Sequence, residues 1–129
     1  MTLKYKVVST YQPGKGKDGD QLWFPKLTGS TRMGQNEIAR EIQRRTTASR
    51  ADVQLVLTAL LDLMPELLLS GNTLHLDGFG TFRLHAKVLT ESTARAVTSK
   101  NIKALRLSFI PDKGLKQNLQ SAKFSLVKK

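Results

Sequence analysis

With 129 residues the chain has room for one compact domain plus an appended strand or arm, which argues against a two-domain enzyme. Its 21 Lys and Arg face 10 Asp and Glu, a formal charge of +11, yet 40% hydrophobic against 24% charged residues excludes a disordered basic tail and calls for a buried core. The absence of cysteine removes disulfides, thiol catalysis and Cys-based zinc sites, and fits a reducing, cytoplasmic compartment.

Met1 to Thr10 alternates lysine with apolar side chains and holds no apolar run ahead of a small-residue cleavage site, so no signal peptide is expected. Lys4 to Val8, at period two, and Leu22 to Leu27, aromatic-rich and closed by Pro25, predict two strands. Three glycines and a proline make Gln12 to Asp20 a loop. That loop lacks the Gly-Lys-Ser/Thr half of a phosphate loop, and nucleotide binding is not expected there. Trp23 and Phe24 read as core; the alternative is a platform on which bases stack.

Asn36 to Arg45 puts Ile38, Ala39 and Ile42 on one stripe, with Glu37 and Glu41 early and Arg44 and Arg45 late, as the helix dipole favours. Ser49 and Asp52 then signal a second helix start. That helix should end at Gly71, whose lack of a Cβ suits the left-handed C-terminal position, and should bend at Pro65. Its apolar surface, from Val53 through Leu69, is wider than one small sheet needs and predicts packing against a second subunit. Gln54, Thr58, Asp62, Pro65 and Glu66 interrupt the stretch, so it does not read as a membrane span.

Alternation resumes over Thr73 to Leu84. Leu74, Leu76, Phe82 and Leu84 fall on the inward parity, while His75, Asp77, Thr81 and Arg83 fall outward, with Gly78 and Gly80 marking the turn between two strands. Leu105, Leu107 and Phe109 predict a third strand with Arg106 and Ser108 outward. Pro111-Asp112 opens a short helix carrying Leu115 and Leu119, and Phe124 to Val127 closes the chain as a strand. Lys4 to Val8 is expected to add a strand to the sheet near this tail. Residues 85–104 join two adjacent strands without apolar periodicity, and connections of that length are functional or disordered.

The charge is uneven. Residues 1–33 carry +4, 34–71 carry −1 and 72–129 carry +8, a segregation that suggests a binding face, with lysine used for solubility as the plain alternative. The only histidines, His75 and His85, have no second ligand at helical spacing, so no metal site is expected. His75 and Asp77 read as a surface ion pair, since no nucleophile or oxyanion donor accompanies them. No catalytic residue, cofactor or small-molecule substrate is expected.

Four segments, Asn36-Glu37-Ile38-Ala39, Ser49-Arg50-Ala51-Asp52-Val53, Ser70-Gly71-Asn72-Thr73-Leu74 and Gly78-Phe79-Gly80-Thr81-Phe82, resemble successive landmarks of the HU and integration-host-factor family. Phe109 to Lys116 looks like that family's final strand and helix, so the likeness covers about residues 34–120. The extra N-terminal region and tail resemble the longer HU-like variant of the Bacteroides group. The resemblance implies an α+β fold: an intertwined homodimer with two helices at the base, a three-stranded antiparallel sheet with a β-arm, a short C-terminal helix and, in this chain, extra N-terminal strands. Residues 1–33 would form the extension and 34–129 the HU-like domain, with the arm at about 85–104.

The resemblance further implies a non-enzymatic, histone-like protein of the bacterial nucleoid that condenses or bends double-stranded DNA with little sequence preference. On it, Arg83 and Arg106 are candidates for backbone contacts on the outward sheet face. Lys87, Arg95, Lys100 and Lys103 lie in the arm, and Lys113 and Lys116 match basic positions of the helix that flanks DNA. The family's arm typically ends in an Arg-Asn-Pro tip whose proline wedges between base pairs. Residues 85–104 contain no proline, leaving Val88, Leu89 or Val97 as the side chains that could insert, and bending without intercalation is the expectation. The alternative function is an HU-fold interaction module that holds another protein or structured RNA, using the N-terminal strands and the Trp23-Phe24 surface.

Overall fold

The computed structural model describes residues 2–11, 14 and 20–127. The loop expected at Gln12 to Asp20 lies outside the described residues, apart from Gly14 and Asp20. The chain divides into two compact units, one of residues 1–33 with 118–129 and one of residues 34–117.

In the first unit β1 (Thr2–Tyr11) pairs antiparallel with β2 (Gln21–Thr28) and parallel with β6 (Lys123–Leu126), in the order β2-β1-β6. The sequence places Lys4 to Val8 as an added strand of the sheet near the tail; the structure instead pairs it with the tail itself, in a separate sheet. Strand alternation sends Tyr5, Val7, Trp23, Leu27 and Phe124 to one side, where they line an open apolar groove. Trp23 is 65% exposed and Phe24, on the opposite side of the sheet, 43%, which corrects the expectation that both are core.

The second unit begins with two helices, α1 (Gln35–Arg45) and α2 (Arg50–Leu69). The Glu37 carboxylate accepts the Gly34 amide at 2.9 Å and so satisfies one orphan donor at the start of α1. Ser49 Oγ accepts the Asp52 amide at 3.1 Å at the start of α2, the expected cap. At the other end Gly71, at φ +97°, donates to the Leu68 carbonyl at 3.1 Å while Asn72 donates to Leu67 at 3.1 Å, the two-bond closure that a left-handed glycine permits. The helix continues through Pro65, which leaves the Leu61 carbonyl without an amide partner four residues on. Gln35 and Asn36 of α1 hydrogen-bond Gln54 and Thr58 of α2, so polar pairs flank the contact at which Ala39 and Val53 are buried.

Three antiparallel strands follow, in the order β3-β4-β5: β3 (Leu74–Leu76), β4 (Gly80–Val88) and β5 (Ile102–Pro111). Gly78, at φ +77°, makes the β3–β4 turn. Gly80 does not, contrary to the sequence reading; it is the first residue of β4 and is buried. A Cβ there would lie 2.5 Å from the Phe109 ring and 2.6 Å from the Ile110 carbonyl oxygen, so glycine is needed for Phe109 to pack across the strand. Phe109 meets Phe82 at 4.9 Å and Phe79 at 5.1 Å between ring centroids, both tilted. The short helix α3 (Lys113–Gln120) completes the set. Among the described residues the buried hydrophobic side chains are Ala39, Val53 and Leu68, a core far too small for a chain this apolar.

Candidate nucleic-acid interface

Residues directly opposite in an antiparallel pair share a sheet face. The β4–β5 register sets Arg83 against Ser108, His85 against Arg106 and Lys87 against Ala104, which gathers Arg83, His85, Lys87 and Arg106 on one face. Arg106 sits diagonally between Arg83 and Lys87. Along β4 the three cationic or ionisable positions are spaced by two residues, about 6.8 Å apart. On the other face the same register aligns Phe82 with Phe109, Leu84 with Leu107 and Ala86 with Leu105. Outward arginine and inward leucine are thus one consequence of one alternation.

His85 belongs to this face, and the sequence reading weighed it only as a metal ligand. Its Nε2 lies 2.9 Å from Ser108 Oγ, which in turn donates to the Arg83 carbonyl at 3.3 Å, so the imidazole is tied across the ladder between the two arginines. The parity of β4 would have found it, since His85 lies two residues from both Arg83 and Lys87.

Strand pairing extends to Val88 opposite Ile102, so the unpaired connection shrinks from the expected 85–104 to 89–101. A register shift beside Lys87 and Val88 leaves Lys103 without a direct partner, as the extra residue of a bulge. Beyond it the chain makes one 3₁₀ turn at Ala94–Ala96, which holds Arg95, and another at Ser99–Asn101, which holds Lys100. Asn101 organises this tip. Its amide nitrogen donates to the Leu89 carbonyl at 3.1 Å and the Glu91 carboxylate at 2.9 Å, and its side-chain oxygen accepts the Thr98 amide at 2.8 Å. It is 8% exposed, and a polar side chain that buried must be fully partnered. No periodicity pointed to it.

Lys113 and Lys116 lie one turn apart on α3. Asp112 places them: its amide donates to the Phe79 carbonyl at 3.0 Å, its carboxylate accepts the Gly78 amide at 3.1 Å and contacts His75 Nε2 at 2.8 Å, and its carbonyl accepts the Lys116 amide at 3.0 Å. His75 therefore bridges Asp112 and, at 3.3 Å, Asp77, which extends the expected His75–Asp77 pair into a clasp between β3 and the start of α3.

The eight basic residues singled out from the sequence are all exposed, and among the described residues none forms an ion pair. They fall into three sets: Arg83, Lys87 and Arg106 together on the sheet face with Lys103 at its bulge, Arg95 and Lys100 on the tip, and Lys113 and Lys116 on α3. A cationic sheet face that is exposed and, among the described residues, not ion-paired is suited to a row of anions, because no such salt bridge must be broken first.

A family model described as HU domain fused to wHTH, Ig, or Glycine-rich motif matches residues 1–126. Among solved structures, the fold is similar to that of a Bacteroides vulgatus protein described as DNA-binding, with a TM-score of 0.68 and 12% identity over 98% of this chain and 48% of that one. This chain therefore spans about half of that protein's length. It is also similar to an HU point mutant from Thermotoga maritima, at TM-score 0.52 and 24% identity over 67% of this chain and 99% of that one. The third is Anabaena HU in a cocrystal with DNA, at TM-score 0.54 and 20% identity over 69% of this chain and 99% of that one. No curated protein sequence matches.

Proposed function

This chain belongs to the family of HU domains fused to wHTH, Ig or glycine-rich motifs, and from that premise we propose that it is a non-enzymatic architectural protein that binds double-stranded DNA as a homodimer. The observation that carries the reading is the face of β4 and β5 bearing Arg83, Lys87 and Arg106, exposed and without acidic partners among the described residues. Cations on a regular strand spacing read backbone charge rather than base edges, so binding has little sequence preference. The cocrystal of Anabaena HU with DNA supports the same use of the fold. Lys103, Arg95 and Lys100 on the arm and Lys113 and Lys116 on α3 supply further phosphate contacts. With no proline between 89 and 101, the arm bends DNA without a proline wedge.

The dimer is supported by what this chain leaves uncovered. Val56, Leu60, Leu61 and Leu63 of α2 are 64, 37, 53 and 46% exposed, and Leu105 and Leu107 on the inward sheet face are 54 and 55% exposed. Contiguous apolar surface of this kind marks an interface, and a second copy offers the matching surface. No helix among the described residues is long and apolar enough to cross a membrane, and the proposed place of action is the bacterial nucleoid.

The test is duplex affinity for two unrelated sequences across about 50 to 200 mM salt, for the natural chain and for Arg83, Lys87 and Arg106 changed together to Ala. Each phosphate contact contributes about 0.9 to the slope of log K against log salt. The expected result is a steep slope shared by both sequences and flattened in the triple variant. Equal slopes for the two proteins would overturn the assignment of this face. A second reading, in which the N-terminal sheet holds a protein partner, is favoured by the exposure of Trp23 in the open groove it shares with Leu27 and Phe124.

A further inference from the structure

The apolar groove occupies one side of the β2-β1-β6 sheet; the opposite side carries lysine. Lys4 and Lys6 on β1, Lys26 on β2 and Lys123 on β6 fall on that side by strand alternation and pairing register. Lys6 lies directly opposite Lys26. Lys4 lies opposite Thr28 and beside Ser125, and Lys123 lies beside Thr2, so hydroxyls are interleaved with ammonium groups. All four lysines are exposed, and among the described residues none is ion-paired.

Like charges directly opposite destabilise a strand pair, and proteins ordinarily avoid them or insert a carboxylate. This face has none. The unit's two acidic residues, Asp18 and Asp20, belong to the connection between β1 and β2. Asp20 precedes Gln21, whose partner Tyr11 is five residues along β1 from Lys6, about 17 Å away. The unit formed by residues 1–33 and 118–129 holds nine Lys and Arg against two Asp, +7, whereas residues 34–117 hold twelve against eight, +4. Most of the chain's excess charge therefore sits outside the part that carries the candidate interface, and among the described residues no carboxylate pairs with the lysines of this sheet face.

We infer that the Lys4, Lys6, Lys26 and Lys123 face is a second phosphate-binding surface, which holds the backbone of double-stranded DNA. Every cation on it is lysine, a point charge on a flexible stem that follows a backbone without demanding bidentate geometry. Lys4 and Lys6 are spaced by about 6.8 Å, about the rise of two nucleotide steps along the axis of a duplex. The inference rests on the DNA-binding reading above and adds a contact set to it.

The experiment compares salt slopes on one duplex for the natural chain, for Lys4, Lys6, Lys26 and Lys123 changed together to Gln, for the same four changed to Arg, and for the Arg83, Lys87 and Arg106 variant. A further variant, with Arg40, Arg44, Arg45 and Arg50 changed to Gln, removes the same net charge from exposed helical positions. Emission of Trp23, the single tryptophan, reports that the N-terminal sheet is intact. The expected result is a slope flatter by about 0.9 for each lysine in contact, in the Gln variant and not in the Arg variant. An unchanged slope in the Gln variant beside a flattened one in the Arg83, Lys87 and Arg106 variant would overturn this inference and leave the proposed function standing. Equal flattening in the helical variant would overturn it too, since net charge rather than the face would then be acting. No salt-dependent binding by the natural chain would overturn both readings together.

Discussion

The two units solve the same electrostatic problem differently. Residues 34–117 separate charge along the chain: α1, α2 and their connection are close to neutral, while β4, β5, the tip and α3 hold the basic side chains. The described part of the N-terminal unit is mostly one sheet, and it separates charge across that sheet's thickness, with Trp23, Leu27 and Phe124 on one side and the lysines, together with Leu22 and Phe24, on the other. A strand alternation of two makes either solution available, and the difference lies in what covers the apolar side. In the second unit α2 and the inward sheet face leave many apolar side chains exposed; in the first an apolar groove that includes Trp23 is open.

The largest expected effect comes from breaking that cover. Leu60→Asp with Leu63→Asp places charge in the surface proposed to meet the second copy, and should convert the dimer to an unfolded or monomeric chain in sedimentation measurements. An unchanged dimer would mean that α2 faces solvent and that the large exposed surface has another use.

Gly80→Ala comes next. The added methyl meets the Phe109 ring and the Ile110 carbonyl oxygen, and overpacking of this kind costs about 1–3 kcal/mol. Unfolding followed by circular dichroism should shift to lower denaturant, while Trp23 emission, which reads the other unit, should shift less. Coincident shifts would show that the two units unfold as one.

The smallest effect is the most discriminating. Lys6→Glu turns a repulsive pair with Lys26 into an attractive one, which should stabilise the N-terminal sheet by about 0.2–1 kcal/mol. The same change should weaken DNA binding and flatten its salt slope. Stability and affinity moving in opposite directions is what a face kept basic for a ligand predicts; a gain in stability with unchanged affinity would assign the lysines to solubility.

Much of the second unit was legible in the sequence because its signals are local. Ser49 before Asp52, Gly71 after Leu69, and the alternation that puts Arg83 and Arg106 opposite to Leu84 and Leu107 depend on neighbours within a few positions. Two of the misses required a distant partner, and the third required only that the alternation of β4 be followed further. Gly80 resembles a turn glycine until Phe109 is brought across the sheet. Asn101 is one polar residue among several until Leu89, Glu91 and Thr98 converge on it. His85 joined the basic face only when its strand ran as far as Val88.

By itself the sequence determined the element types, the caps, the sign of the charge and the parity that divides arginine from leucine, because each follows from backbone periodicity and side-chain chemistry within a short window. Only the tertiary structure decided that the tail at Lys123 to Leu126 pairs with Thr2 to Tyr5, that Lys6 faces Lys26, and that Trp23 is left uncovered. Strand pairing between residues more than a hundred positions apart has no local signature: its stability comes from closing a long loop against main-chain hydrogen bonds and side-chain packing, and those exist only once the chain has folded.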